Sequence, residues 1–189
     1  MPSLKAKLEL EVGGMFSGKS SEIQRQGQRH KLAGHGVLYI KPAMDDRYAQ
    51  DEIVTHDGQS VPAINMATNT ELSYMQYIMV DFSNVILIDE VQFFDEAIID
   101  FVKKLLEMDK VVYCAGLDMD FKGEPFKVTA QLMAMADKVN KFHAVCADCG
   151  ADGYVTAKTS GSNNRYELGS KDLYKPVCRQ CYSNYKEEN

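Results

Sequence analysis

Residues 13 to 20 read GGMFSGKS. They satisfy the pattern GxxxxGK[ST], with alternating Leu8, Leu10 and Val12 before them and a helix-like stretch over 19 to 33 after them. A strand, a glycine-rich turn and a helix in that order constrain the fold more than anything else in the chain. The glycines let successive backbone N–H groups turn inward around an anion. The helix that follows adds the positive end of its dipole at the same point. In such a loop, Gly13, Gly14, Met15, Phe16, Ser17, Gly18, Lys19 and Ser20 form a phosphate cradle. Lys19 reaches the β- and γ-phosphates of ATP, and the Ser20 hydroxyl faces Mg²⁺. A chance glycine-rich turn would not require the flanking strand and helix.

The rest of the chain repeats the alternation. Gly34 and Gly36 end the first helix, and Val37 to Ile40 is a short apolar run closed by Lys41-Pro42. Residues 43 to 60 are polar and Asp-rich and read as a loop. A helix is predicted over 70–81, then a buried strand Val85-Ile86-Leu87-Ile88 ending at Asp89-Glu90. Residues 95–107 have helical spacing, with Asp95 as N-cap. Lys110 to Ala115 reads as a strand, and 129–137 as a helix with Thr129 near its start. Strands apolar on both faces, alternating with helices, imply an α/β fold. The sheet is expected to be of P-loop (RecA-like) type, mostly parallel and flanked by helices. The pattern fades near His143. The expected division is a nucleotide-binding unit over 1–142 and a small cysteine-framed unit over 143–189.

Two carboxylates close the strand at 89 and 90. An Asp at such a strand end holds Mg²⁺ in P-loop enzymes, which suits Asp89. Adjacent strand residues point to opposite sides, so Glu90 is free to face an acceptor hydroxyl and take its proton as general base. A bland role for Glu90, capping the next helix or facing solvent, is the alternative.

Five cysteines stand at 114, 146, 149, 178 and 181. The last four form two CxxC pairs, 28 residues apart. Four thiolates suit a tetrahedral structural Zn²⁺ with no open position. A redox-active CxxC is the runner-up, weakened by the presence of two matched pairs. The polar stretch TSGSNNRYELGS at 159–170 would be a loop clamped at both ends. Cys114 lies in an apolar strand and reads as a buried structural thiol. His30, His35, His56 and His143 have no metal-ligand spacing.

At this point the chain resembles the type II thymidine kinase family, the cellular and poxviral kind with a zinc-bearing lasso. The resemblance rests on GGMFSGKS, DDRY at 45–48, THD at 55–57, IDEVQFF at 88–94, GLDMDFKGEPF at 116–126, CADC at 146–149 and CRQCY at 178–182. It implies transfer of the γ-phosphate of ATP to the 5′-hydroxyl of thymidine, or of deoxyuridine, for DNA precursor salvage. Glu90 aligns with the base, and Ser20 and Asp89 with the Mg²⁺ positions. Asp45, Asp46, Arg47 and Gln92 fall among residues near the nucleotide. Arg47 would neutralise transition-state charge. Phe93, Leu117, Phe121 and Phe126 align around the thymine pocket, with Thr156 and Tyr174 as further contacts. Arg165, Tyr166, Glu167, Leu168 and Gly169 would lie in the lasso. Asp46 replaces a common Thr and is expected to point outward, away from phosphate. Gly14 stands where Pro or Ser is common. The resemblance further implies a homotetramer and feedback inhibition by thymidine triphosphate.

Composition narrows the alternatives. The net charge is −6, and the densest basic pair, Lys103-Lys104, sits among acids, so no nucleic-acid partner is expected. That argues against a P-loop ATPase or zinc-ribbon module acting on DNA. No stretch approaches the roughly 18 apolar residues of a membrane helix, and the first residues lack a signal-peptide core, so the expected location is the cytoplasm. A nucleotide kinase of the adenylate kinase type would line its acceptor site with arginines. This chain has five, Arg25, Arg29, Arg47, Arg165 and Arg179.

Overall fold

The computed structural model describes residues 4–43, 52–54, 58–159 and 173–186. Its centre is a six-stranded sheet made of β1 (Lys7–Gly13), β2 (Val37–Pro42), β5 (Ile64–Met66), β6 (Val85–Ile88), β7 (Val111–Gly116) and β8 (Lys138–Phe142). The order is β5-β2-β6-β7-β1-β8, and every neighbouring pair is parallel. The expected α/β architecture is therefore present.

Both faces of the sheet are covered. Leu8, Leu10, Ile40, Ile86, Ile88, Val112 and Cys114 pack on one side against α3 (Ala97–Glu107) and α4 (Lys127–Met135). Ile98, Val102 and Leu105 of α3 are almost fully buried there, each contributing roughly 1.5–3 kcal/mol. Tyr39, Leu87, Tyr113 and Ala115 face the other side, where Ile23 of α1 (Lys19–Leu32) packs on them. The short antiparallel pair β3 (Glu52–Val54) and β4 (Ser60–Pro62) joins that face. Gln24 secures it by donating to the Ile53 carbonyl at 2.9 Å.

Several local expectations shift. The pair β3–β4 lies where a loop was expected. Helix α2 spans Tyr74–Phe82 because Ser73 and Gln76 form a reciprocal capping box, a signal present in the sequence as S-x-x-Q. Helix α3 begins after Glu96 without a side-chain cap, and the Asp95 carboxylate instead accepts from Thr68 at 3.5 Å. Helix α4 starts at Lys127, two residues before the expected 129, and Thr129 is buried near its start. Strand β8 was not anticipated, since an edge strand reading KVNKF carries little apolar signal.

After β8 the chain builds a second, smaller core. It contains β9 (Ala144–Val145), β10 (Asp152–Gly153), β11 (Val155–Lys158), β12 (Tyr174–Val177) and α5 (Arg179–Lys186). Cys146, Val155, Ala157, Val177 and Tyr182 pack together within it.

Gly27 marks the tightest helix–sheet approach. A Cβ there would lie 2.0 Å from the Tyr39 hydroxyl and 2.6 Å from its ring. Alanine gains up to about 1 kcal/mol of helix propensity, but overpacking a buried ring costs about 1–3 kcal/mol. Gly27→Ala is therefore expected to lower the denaturant midpoint, with partial recovery when Tyr39→Phe is added. An unchanged or raised midpoint would show that propensity outweighs the clash.

Candidate active site

Parallel strands deliver their carboxyl ends to one edge of the sheet, where ligands bind in open α/β folds. Here β1 ends at Gly13, β6 leads into Asp89, β7 into Leu117, and β8 ends beside Gly13. The eight-residue loop follows β1 directly and Lys19 opens α1. A Cβ on Gly13 would stand 2.2 Å from the Phe142 carbonyl oxygen, and the residue has φ +145°. Only glycine fits. Phe16 and Gly18 also take positive φ, 64° and 87°. The Lys19 ammonium is buried in the loop and donates to the Gly14 carbonyl at 2.7 Å. The Ser17 hydroxyl donates to the same oxygen at 2.8 Å.

Asp89 is buried against this loop. Burial, with the neighbouring Glu90 charge, pushes its pKa up to about 7, while a hydrogen bond from Ser20 and the charge of Lys19 pull the other way. A buried carboxylate with this balance fits a site that receives further positive charge. Ser20 and Asp89 are thus already in contact and could hold a divalent cation between them and a phosphate chain.

Glu90 leaves the strand in the left-handed region, φ 52° and ψ 43°, and starts a single 3-10 turn over Val91–Phe93. Such a conformation is strained for a non-glycine residue and needs surrounding support. Part of that support is the Glu90 N–H, which donates to Asp89 at 2.9 Å. Gln92, buried, supplies another part. Its amide N–H donates to the Glu90 carboxylate, and its carbonyl accepts from Leu117 N–H at 3.0 Å. Because the Leu117 N–H can only donate, the amide oxygen must face it and the NH₂ must face Glu90. Gln92 therefore braces the candidate base against the end of β7.

The candidate pocket residues come from separate segments. Phe93 closes the 3-10 turn, and Leu117 follows β7. Phe121 and Phe126 are buried side chains of the connection before α4. Tyr174 and Phe121 share the Lys158 ammonium, 5.8 Å and 4.9 Å from the ring centres. The Thr156 hydroxyl accepts from the Met15 N–H at 2.9 Å, joining β11 to the phosphate loop. Asp45, Asp46, Arg47 and residues 165–169 lie outside the described residues. Sequence reading missed Lys158, which is buried beside two aromatic rings, and Tyr182, whose hydroxyl donates to the Phe121 carbonyl at 2.5 Å. The only signal for Tyr182 was its place directly after Cys181.

The sulfur atoms of Cys146, Cys149, Cys178 and Cys181 lie within 4.8 Å of one another. The Cys149 and Cys178 sulfurs are 3.7 Å apart, close to the about 3.8 Å expected for two thiolates on one tetrahedral Zn²⁺. Burial opposes ionisation of Cys146, but backbone N–H groups of Cys178, Cys149 and Asp148 outweigh it and bring its pKa down to about 6. The cluster is compatible with structural zinc. Burial raises the Cys114 thiol, consistent with a packing role.

A parallel sheet with a phosphate loop, a buried strand-end carboxylate and an adjacent half-buried one braced by Gln92 has the layout of a P-loop nucleotide-binding kinase. Comparison with known proteins specifies it. The family model described as "Thymidine kinase" matches residues 6–182. A thymidine kinase of Bacteroides thetaiotaomicron is 37% identical over 185 residues, 98% of this chain and 91% of that protein. Thymidine kinases of two Bacteroides fragilis strains are 36% identical over the same length. The chain belongs to the thymidine kinase family. Among solved structures, a DNA replication initiation factor overlaps 74% of this chain with a TM-score of 0.45 and 15% identity, and the overlap spans 40% of that protein.

Asp89 makes stability pH-dependent. Its folded pKa, about 7, lies above the ordinary value of 3.8. Between those two values the unfolded chain loses a proton that the folded chain keeps, so stability falls as pH rises through that window. The full effect is of the order of 4 kcal/mol. In metal- and nucleotide-free protein, Asp89→Asn should remove this slope, measured as the wild-type minus variant difference in unfolding free energy. Burial also raises Glu11, but its contribution cancels in that difference. A difference constant from pH 4 to pH 8 would mean that Asp89 titrates normally.

Proposed function

We propose that this chain transfers the γ-phosphate of ATP to the 5′-hydroxyl of thymidine, yielding thymidine monophosphate for DNA precursor supply. The observation that carries the reading is the juxtaposition, in a thymidine kinase family chain, of the phosphate loop with two carboxylates of different environment at one strand end. Asp89 is buried beside Ser20 and Lys19, whereas Glu90 is only half-buried and braced from the side by Gln92.

The division of labour follows from those environments. Backbone N–H groups of Gly13 to Ser20 and the Lys19 ammonium bind and orient the triphosphate. Ser20 and Asp89 would hold Mg²⁺, which when bound supplies charge neutralisation on the phosphate oxygens. Glu90 accepts the proton of the 5′-hydroxyl as its oxygen attacks the γ-phosphorus and ADP departs. Arg47, from DDRY, adds positive charge where the transition state spreads negative charge. Asp45 and Asp46 belong to the same donor-side segment. Phe93, Leu117, Phe121, Phe126 and Tyr174 enclose a flat, neutral ring, and the backbone of residues 165–169 pairs with its polar edge. Thr156 links that wall to the donor loop. Residues 1–142 act as the nucleotide-binding unit and 143–189 as the zinc-clamped lid. Discrimination between thymidine and deoxyuridine turns on one methyl group, worth about 1–3 kcal/mol.

The reading also includes a cytoplasmic homotetramer inhibited by thymidine triphosphate. Support for self-association comes from α2, where Tyr74, Met75 and Phe82 are 79%, 65% and 80% exposed. Large apolar side chains clustered on one helix are unusual for a free monomer surface. Sedimentation showing only monomer at micromolar concentration would remove that part.

Two measurements test the chemistry. Glu90→Gln should keep ATP affinity near wild type and lower kcat by about 10²–10⁴. A rate within tenfold of wild type would take the base role away from Glu90. Given thymidine and thymidine monophosphate separately, the enzyme should phosphorylate the nucleoside. Turnover of the monophosphate alone would favour a nucleotide kinase.

A further inference from the structure

We propose that Tyr182 is a positioning residue for the nucleoside pocket, coupling the cysteine cluster to Phe121 through the hydrogen bond from its hydroxyl to the Phe121 carbonyl. The inference rests on the thymidine reading of the site.

Phe121 lies in the segment 118–126, between β7 and α4 and outside both. That segment is closed on itself. The Asp120 carboxylate accepts from Lys122 and Glu124 N–H at 2.9 Å each, and Met119 bridges Pro125. Its start is held through Leu117 by Gln92. Asp118 is also paired with Lys141 of β8 at 2.7 Å, and further along the turn tethers from the C-terminal core add to these anchors.

Among the described residues, two tethers from the C-terminal core reach Phe121. The first is to its ring. The Lys158 ammonium, on β11 and nearly fully buried, lies 4.9 Å from the Phe121 centroid, within cation–π range. The second is to its main chain. Tyr182 reaches across 61 residues to the Phe121 carbonyl at 2.5 Å. Tyr182 is itself rigidly placed. It follows Cys181 on α5, donates its own N–H to the Cys178 carbonyl at 2.9 Å, and packs against Cys146, Val155, Ala157 and Val177. The ring position of Tyr182 is thus set by the same short segment that carries two of the four cysteines. Displacing that segment would move the phenol, and with it the backbone that carries Phe121.

This arrangement gives the cysteine cluster an effect on the acceptor and not on the donor. Tyr182→Phe keeps the ring in its core and removes only the hydrogen bond. Losing one such bond to a buried carbonyl corresponds to about a three- to tenfold change in an equilibrium constant. Thymidine KM, and thymidine Kd by calorimetry, should rise by about that factor. ATP KM, kcat and zinc content should stay close to wild type. Amide hydrogen exchange should quicken within 118–126 and remain unchanged within 13–20. In wild-type protein, zinc removal should deprotect 118–126 in the same way, a readout that needs neither turnover nor the variant. Zinc removal from Tyr182→Phe should add little to thymidine Kd.

Equal thymidine KM in Tyr182→Phe and wild type would overturn the inference, as would a uniform loss of kcat and both affinities. Unchanged protection of 118–126 after zinc removal would also overturn it. Wild-type protein that fails to phosphorylate thymidine would instead overturn the reading of the site, and the exchange measurements would still report on the tether.

Discussion

A carboxylate buried at the end of an apolar strand is costly, and much of this site is arranged around that cost. Asp89 sits where four all-apolar residues of β6 deliver it, in the middle of a parallel sheet with helices on both faces. Desolvation alone would neutralise it. The Ser20 hydroxyl, the Glu90 N–H and the Lys19 ammonium counter that tendency in part. The residual imbalance leaves a group held between charged and neutral states, suited to a cation and a phosphate chain. The neighbour, Glu90, stays half-buried, its backbone turning into the left-handed region where the strand ends. One residue of separation therefore yields two carboxylates with different environments.

The phosphate loop depends on contacts that its own sequence does not contain. Gly13 must be glycine because β8 runs alongside and places the Phe142 carbonyl where a Cβ would be. Met15 is held by the Thr156 hydroxyl, from beyond β8. Gln92 similarly ties the strand end of β6 to that of β7. Segments distant in the chain are thus cross-linked at the site by single hydrogen bonds. Such contacts join the small cysteine-bearing core to the larger one, at Met15 through Thr156 and at Phe121 through Tyr182.

Much of this was legible in the residues. The alternation of apolar runs with helical segments implied the covered parallel sheet, and GGMFSGKS marked the turn from β1 into α1. The two CxxC pairs implied a four-sulfur cluster, and the sulfurs do converge. Boundaries were less readable. The capping box at Ser73 moved the start of α2 to Tyr74, a local signal that the apolar spacing had obscured. Strand β8 left almost no signal, since an edge strand with no buried residue resembles a polar loop.

What the sequence by itself determined was the chemistry available and its order along the chain: a phosphate cradle, a pair of strand-end acids, a set of aromatics and four paired thiols. Short-range physics suffices for these, because turn glycines, strand periodicity and metal-ligand spacing act over a few residues. What only the tertiary structure decided was how those parts touch. Three such long-range contacts are Met15 to Thr156, Gln92 to Leu117 and Tyr182 to Phe121, separated by 141, 25 and 61 positions. Each is a hydrogen bond between a loop backbone and a side chain from another segment. Its partner is chosen by where the folded sheet places the chain, and no local pattern encodes that choice.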